Sequence, residues 1–229
     1  YLIAPSYENF ELMTGDAIDA VVSITMAPEV EGAKELASTL SSKGIRCSMG
    51  HTKATYEQAI DGIKHGFCHS THLFNAMTGF THREPGVVGA TFDSDITTET
   101  ISDGIHISYP SLRVAYKQKG TDKTLLVTDA MCACGMPDGT YALGGQPVIV
   151  KNGAARLENG ALAGSILTLN KAVKNIYDNT DYPLYEIIKM ASYNGAKYCR
   201  VDDRKGQIKE NFDADLVIFD EKSAYRQYT

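Results

Sequence analysis

The chain has 229 residues, enough for one large domain or two smaller ones, and 43% are hydrophobic, enough to bury a core. Lys and Arg number 22 against 28 Asp and Glu, and the resulting net charge of −6 argues against general nucleic-acid binding, which needs a basic footprint. No apolar run is long enough to cross a bilayer, no basic segment precedes an apolar one at the N-terminus, and the five cysteines have no regular spacing; this reads as a reduced cytoplasmic chain without a membrane partner.

Strand and helix signals alternate along the chain. Val21–Met26 is rich in β-branched residues and ends at Ala27-Pro28, as a strand would. Glu31–Lys43 carries Ala33, Leu36, Ala37 and Leu40 at helical spacing and stops at Gly44. Ile45–Met49 reads as the next strand, running into Gly50-His51. Thr55–His65 reads as a helix with Ala59, Ile60 and Ile63 inward. A third strand, Phe67–Thr71, runs to His72, and Asn75–Gly89 reads as a polar loop. Thr98–Ser102 is a fourth strand, ending in Asp103-Gly104-Ile105-His106; Pro110–Lys119 is a helix with proline in its first turn, and Thr124–Thr128 is a fifth strand, ending at Asp129.

The pattern changes after residue 140. Tyr141–Val150 and Ala155–Leu162 read as an antiparallel pair joined at Lys151-Asn152-Gly153. Helices are expected over Leu167–Asp178 and Leu184–Tyr193, and further strands over Gly206–Ile208 and Ala214–Asp220.

Strands alternating with helices imply parallel strands with crossovers. His51, His72, His106 and Asp129 each follow such a strand. In a TIM-type barrel the carboxyl ends of the strands carry the active site, and the fold expected is α/β, a partial TIM-type barrel with a small β-sandwich-like module, although periodicity alone does not separate a barrel from an open sheet. A closed barrel has eight strands, of which about five can be traced, so the chain reads as the later part of a barrel. The expected layout is barrel strands and helices over 1–140, an antiparallel β insertion over 141–163, barrel-associated helices over 164–200 and part of a β-module over 201–229.

His51 and His72 would sit on one rim of a parallel sheet, where two imidazoles suit Zn²⁺ or another borderline divalent metal; the plainer reading is two unrelated histidines. Asp129 either caps the turn that follows it or accepts a proton from an activated water. Arg83, in His82-Arg83-Glu84-Pro85-Gly86, is either a solvated surface arginine or an anchor for an anionic substrate group. Asn75 can hydrogen-bond a sugar or amide, and His106 can do the same or complete a metal shell. His65, Cys68 and His69 read as structural. Cys132-Ala133-Cys134 falls one residue short of a CxxC motif and reads as two small loop thiols, with a redox or metal role as the alternative.

Five runs occur in order: Gly50-His51-Thr52-Lys53-Ala54, Thr71-His72-Leu73-Phe74-Asn75-Ala76-Met77, Arg83-Glu84-Pro85-Gly86, Asp103-Gly104-Ile105-His106 and Val127-Thr128-Asp129-Ala130. Together they resemble the N-acetylglucosamine-6-phosphate deacetylases of the amidohydrolase superfamily. Ala27-Pro28-Glu29, Leu162-Ala163-Gly164-Ser165 and the tail from Asn194 to Val217 are similar to that family as well. The resemblance covers nearly the whole chain, and its Thr-His-Leu-Phe-Asn-Ala-Met run is the most specific part.

The resemblance implies hydrolysis of N-acetylglucosamine 6-phosphate to glucosamine 6-phosphate and acetate. It implies His51 and His72 as metal ligands, Asp129 as the catalytic aspartate, and Asn75, Ala76, Arg83 and His106 as substrate-binding positions. It further implies a divalent metal, zinc being the expected identity with one or two ions per subunit, and a homodimer in which Arg83 reaches a neighbour's phosphate. The family's His-x-His strand end, its metal-binding glutamate and its carbonyl-polarising histidine have no counterpart here, so the sequence reads as an N-terminally truncated fragment. The alternatives are another amide hydrolase of the superfamily or a truncated, non-catalytic remnant.

Overall fold

The computed structural model describes residues 3–219 and the backbone of 225–227. The residues cluster into two compact units, Tyr1–Glu99 and Thr100–Thr229.

The first unit opens with a helix that the sequence reading lacks, α1 (Tyr7–Thr14), whose N-cap Ser6 accepts the N–H of Asn9. Only Phe10 of this helix is buried, so its apolar stripe is too thin to register as periodicity. A 3-10 turn over Gly15–Ala20 leads into β1 (Ser23–Met26). Helix α2 (Ala33–Ser42) buries the four residues whose spacing predicts it, Ala33, Leu36, Ala37 and Leu40. Strand β2 (Arg46–Met49) follows. Helix α3 (Tyr56–Lys64) starts at a capping box in which the Thr55 hydroxyl accepts the Gln58 N–H and the Gln58 side chain accepts the Thr55 N–H. Ala59 of α3 is fully buried, and Ile60 and Ile63 pack on the same core as Leu36, Leu40, Cys47, Met49 and Phe67. Strand β3 (Phe67–Ser70) comes next.

The expected loop over Asn75–Gly89 needs correction at its end. Helix α4 (Gly86–Phe92) begins inside it, and every residue from Gly86 to Thr91 is buried. A short helix buried all round has no polar face, so it gives no helical period to read.

Strand β4 (Thr97–Ile101) precedes α5 (Tyr109–Lys119), which has Pro110 in its first turn. A 3-10 turn over Thr121–Lys123 leads to β5 (Thr124–Val127). The parallel sheet has the order β1-β2-β3-β4-β5, the unbroken sequential order that βα repeats produce.

The second unit continues with an antiparallel meander of β6 (Gly139–Leu143), β7 (Gln146–Lys151) and β8 (Ala154–Leu157). The expected strand over 141–150 is therefore two strands, because Gly144-Gly145 makes a tight hairpin with both residues at positive φ. The second hairpin turns at Asn152-Gly153, as expected. Val148, Val150 and Ala155 form a small core with Met131 and Ala133.

Helices α6 (Leu169–Asn179), α7 (Leu184–Ala191) and α8 (Tyr193–Tyr198) follow. The side-chain amide of Asn194 on α8 donates to the carbonyls of Thr121 and Thr124, 2.7 Å each, tying that helix to the start of β5. Strand β9 (Val217–Phe219) pairs antiparallel with β10 (Tyr225–Gln227). The expected strand over 206–208 is absent, since those residues lie in turns and coil. The expected strand over 214–220 shortens to β9, and Asp220 lies outside the described residues. No helix among the described residues is long and apolar enough to cross a membrane.

Candidate active site

Two residues beyond the ends of β2, β3, β4 and β5 stand His51, His72, Asp103 and Asp129. Three of them have positive φ: His51 at 49°, His72 at 32° and Asp129 at 49°. Left-handed backbone costs a non-glycine residue about 1–2 kcal/mol, and such strain clusters at functional sites. Phe74 (73°) and Ala76 (47°), in the loop after His72, share this conformation.

In the first unit, His51 and His72 meet. Their Nε2 atoms are 3.0 Å apart, with the rings edge-to-face at 81°. His72 is only 6% exposed, and among the described residues its buried Nδ1 has no hydrogen-bond partner. Its backbone N–H donates to Glu99 Oε1 at 3.3 Å, and the Leu73 N–H donates to the Glu99 carbonyl at 2.8 Å. The loop after His51 is clipped by Glu29, whose Oε1 accepts the Lys53 N–H at 2.6 Å and whose Oε2 accepts the Thr52 hydroxyl at 2.5 Å. The Thr52 N–H donates to the carbonyl of Ala76 at 3.0 Å, so the two histidine-bearing loops are joined directly.

Gly50 has a steric role in this arrangement. A Cβ there would fall 2.6 Å from Thr25 Cγ2 and 2.9 Å from Thr71 Cβ. The hydroxyls of Thr25 and Ser48 both meet that of Thr71, at 3.0 and 2.6 Å.

The histidine pair fits a divalent metal as two ligands. Two nitrogens each about 2.0–2.1 Å from one tetrahedral ion lie about 3.3 Å apart, close to the 3.0 Å found. Among the described residues no group of three or more His, Cys, Asp or Glu side chains could hold a metal, so this chain brings together two donors rather than a full set.

Asn75 and Ala76 lie in the same loop, with the Asn75 N–H donating to the His72 carbonyl and its side chain to the Leu73 carbonyl. Arg83 is exposed, in a turn closed by the Thr81 N–H donating to the Glu84 carbonyl. The His65 ring donates from Nδ1 to the Asp61 carbonyl at 2.8 Å, and His69 is buried with Nδ1 2.7 Å from the Thr97 hydroxyl.

In the second unit, Asp129 is exposed and its carboxylate makes no hydrogen bond among the described residues. Its positive φ is not that of an N-cap, and its side chain caps nothing among the described residues. The backbone around it is fixed: the Ser165 N–H donates to the Asp129 carbonyl at 2.7 Å, the Met131 N–H donates to the Ser165 carbonyl at 2.9 Å, and the Ser165 hydroxyl donates to the Thr128 carbonyl. The result is a held backbone with a free carboxylate.

His106 is paired with a residue that sequence reasoning passed over. Its Nδ1 lies 2.6 Å from Asp103 Oδ2, with both side chains nearly buried. Burial pushes the Asp103 carboxyl up, but hydrogen bonds from the His106 ring and from the N–H groups of His106 and Ile105 outweigh it and hold it below the usual value. The available signal was position, since Asp103 occupies on β4 the place that His51, His72 and Asp129 occupy on their strands.

A family model described as the amidohydrolase family matches residues 17–228. The chain belongs to the amidohydrolase family. It is similar to the N-acetylglucosamine-6-phosphate deacetylases of Lysinibacillus sphaericus, 43% identical over 96% of this chain and 57% of that protein, and of Bacillus subtilis, 41% identical over 94% and 55%. The crystal structure of N-acetylglucosamine-6-phosphate deacetylase from Pasteurella multocida superposes with a TM-score of 0.91 at 35% identity, covering all of this chain and 62% of the other. The chain thus spans little more than half the length of the curated relatives it matches, and its parallel sheet matches part of an amidohydrolase barrel.

Proposed function

We propose that the whole protein hydrolyses the acetamide of N-acetylglucosamine 6-phosphate, giving glucosamine 6-phosphate and acetate. The observation that carries this is the convergence of His51 and His72 through Nε2, on strand ends that share their strained backbone with Asp129. The similarity to deacetylases along nearly the whole chain supplies the substrate class.

His51 and His72 would hold the metal, with zinc the expected ion. When bound, it would supply a Lewis acid that polarises the acetyl carbonyl and acidifies water. Asp129 takes a proton from the attacking water on its free carboxylate and returns it to the amine nitrogen as the C–N bond breaks. Arg83, exposed and charged, pairs with the 6-phosphate, so that binding energy remote from the amide orients the amide. In a homodimer this arginine would serve the neighbouring subunit's substrate. Asn75, Ala76 and His106 hold the sugar phosphate. The barrel, insertion and β-module layout and a cytoplasmic location complete this reading.

The test is a substrate panel on the whole protein: N-acetylglucosamine 6-phosphate, its unphosphorylated form and a cyclic amide, with release of the free amine measured. Preference for the phosphorylated acetamide supports the proposal. Turnover of the cyclic amide alone would favour a different amidohydrolase, and no turnover of any would favour a non-catalytic protein.

A further inference from the structure

We infer that Asp103 is a positioning residue that fixes which ring nitrogen of His106 is offered to the ligand. The inference rests on the reading that His106 contacts the sugar phosphate, but its test does not.

The Asp103 carboxylate accepts from three donors. Oδ1 accepts the backbone N–H groups of Ile105 and His106, 2.8 Å each, and Oδ2 accepts from His106 Nδ1 at 2.6 Å. The side chains of Asp103 and His106 are only 10% and 6% exposed, so water competes weakly. The loop between them is tight: Gly104 has φ 77°, and a Cβ there would fall 2.8–2.9 Å from the Tyr109 ring.

An ionised carboxylate can only accept. Facing Nδ1 at 2.6 Å, it therefore requires the ring proton to sit on Nδ1. The neutral imidazole is then left with a bare Nε2, which meets a ligand as an acceptor and reads a donor such as a sugar hydroxyl. The two backbone bonds to Oδ1 keep the carboxylate from rotating away, so both tautomer and ring orientation are set by one side chain.

Asp103→Asn discriminates sharply. The amide oxygen would stay on the two backbone donors, where it makes two bonds. The amide nitrogen would then face Nδ1 as a donor, and Nδ1 would have to accept. The neutral ring proton would move to Nε2, the nitrogen offered to the ligand.

The experiment is nitrogen-15 NMR of the whole protein labelled at histidine, at mildly alkaline pH, with His106 assigned by signals lost in His106→Gln. The wild type should show protonated Nδ1 and bare Nε2; the opposite tautomer would overturn the inference without any Asp103 variant being needed. In Asp103→Asn the proton should be on Nε2; a proton retained on Nδ1 in the folded variant would also overturn it. Kinetics on N-acetylglucosamine 6-phosphate form a separate arm, in which KM should rise on the order of tenfold in Asp103→Asn with kcat changed less. A tautomer that switches while KM stays fixed would uphold Asp103 as the residue that sets the ring and would remove His106 from the substrate site.

Discussion

His51 and His72 stand on the ends of neighbouring strands with their Nε2 atoms 3.0 Å apart, and the loops that carry them are bonded through Thr52 and Ala76. If this pair holds the metal, His72→Ala should lower bound divalent metal in the purified protein at least tenfold, a loss that second-shell changes alone reach. Elemental analysis checks it, and unchanged stoichiometry would remove His72 from the metal site.

Asp129→Asn should keep the loop, because Ser165 and Met131 bond that segment through backbone groups. Turnover should fall by about 10²–10⁴-fold, the usual contribution of a general base. Metal content should stay near the wild-type level. Retention of most turnover would exclude Asp129 as the base.

Gly50→Ala should destabilise the protein by roughly 1–3 kcal/mol, since the new methyl group overlaps Thr25 and Thr71. Thr25→Ser removes the closest overlapping atom, Cγ2, while keeping a hydroxyl for Thr71. The double variant should therefore recover part of the loss in thermal melts, and purely additive losses would contradict the steric account.

Asp103 carries an acid-side prediction. Its carboxyl is held below the ordinary 3.8 in the folded state, so its contribution to stability is present above the unfolded value and lost as pH falls through the folded one. Wild-type stability should drop more steeply below about pH 4 than that of Asp103→Asn. Equal slopes in acid denaturation would deny that the folded state lowers this group.

Tyr116 gives the alkaline counterpart. Burial pushes its phenol up to about 12, with the Thr100 and Ser102 hydroxyls 3.0 Å away. An unfolded tyrosine ionises near 10, so stability should be lost as pH rises from about 10 towards 12. Tyr116→Phe should flatten that loss in alkaline melts.

Much of this architecture is legible in the sequence because local and global signals agree. The spacing of Ala33, Leu36, Ala37 and Leu40 predicts the buried face of α2, and that of Ala59, Ile60 and Ile63 the inward face of α3. Helix α4 escapes because uniform burial erases its period, and α1 because it buries one residue. The split at Gly144-Gly145 was available as a turn signal but masked by the apolar residues on either side. Of the candidate site, residue identities and strand-end positions can be read. The positive φ of His51, His72 and Asp129 and the grip of Asp103 on His106 arise only when the chain folds.

We propose that in the whole protein His51 and His72 hold the metal and Asp129 acts as the base. Anomalous diffraction at the zinc edge, from crystals of the whole protein grown with zinc and glucosamine 6-phosphate, tests it most directly. The expected result is a single strong peak, or the stronger of two, bonded to Nε2 of both His51 and His72, with the Asp129 carboxylate facing the same ion and the product amine. A zinc peak remote from this histidine pair, or Asp129 at the opposite end of the sheet from it, would rule out a shared centre.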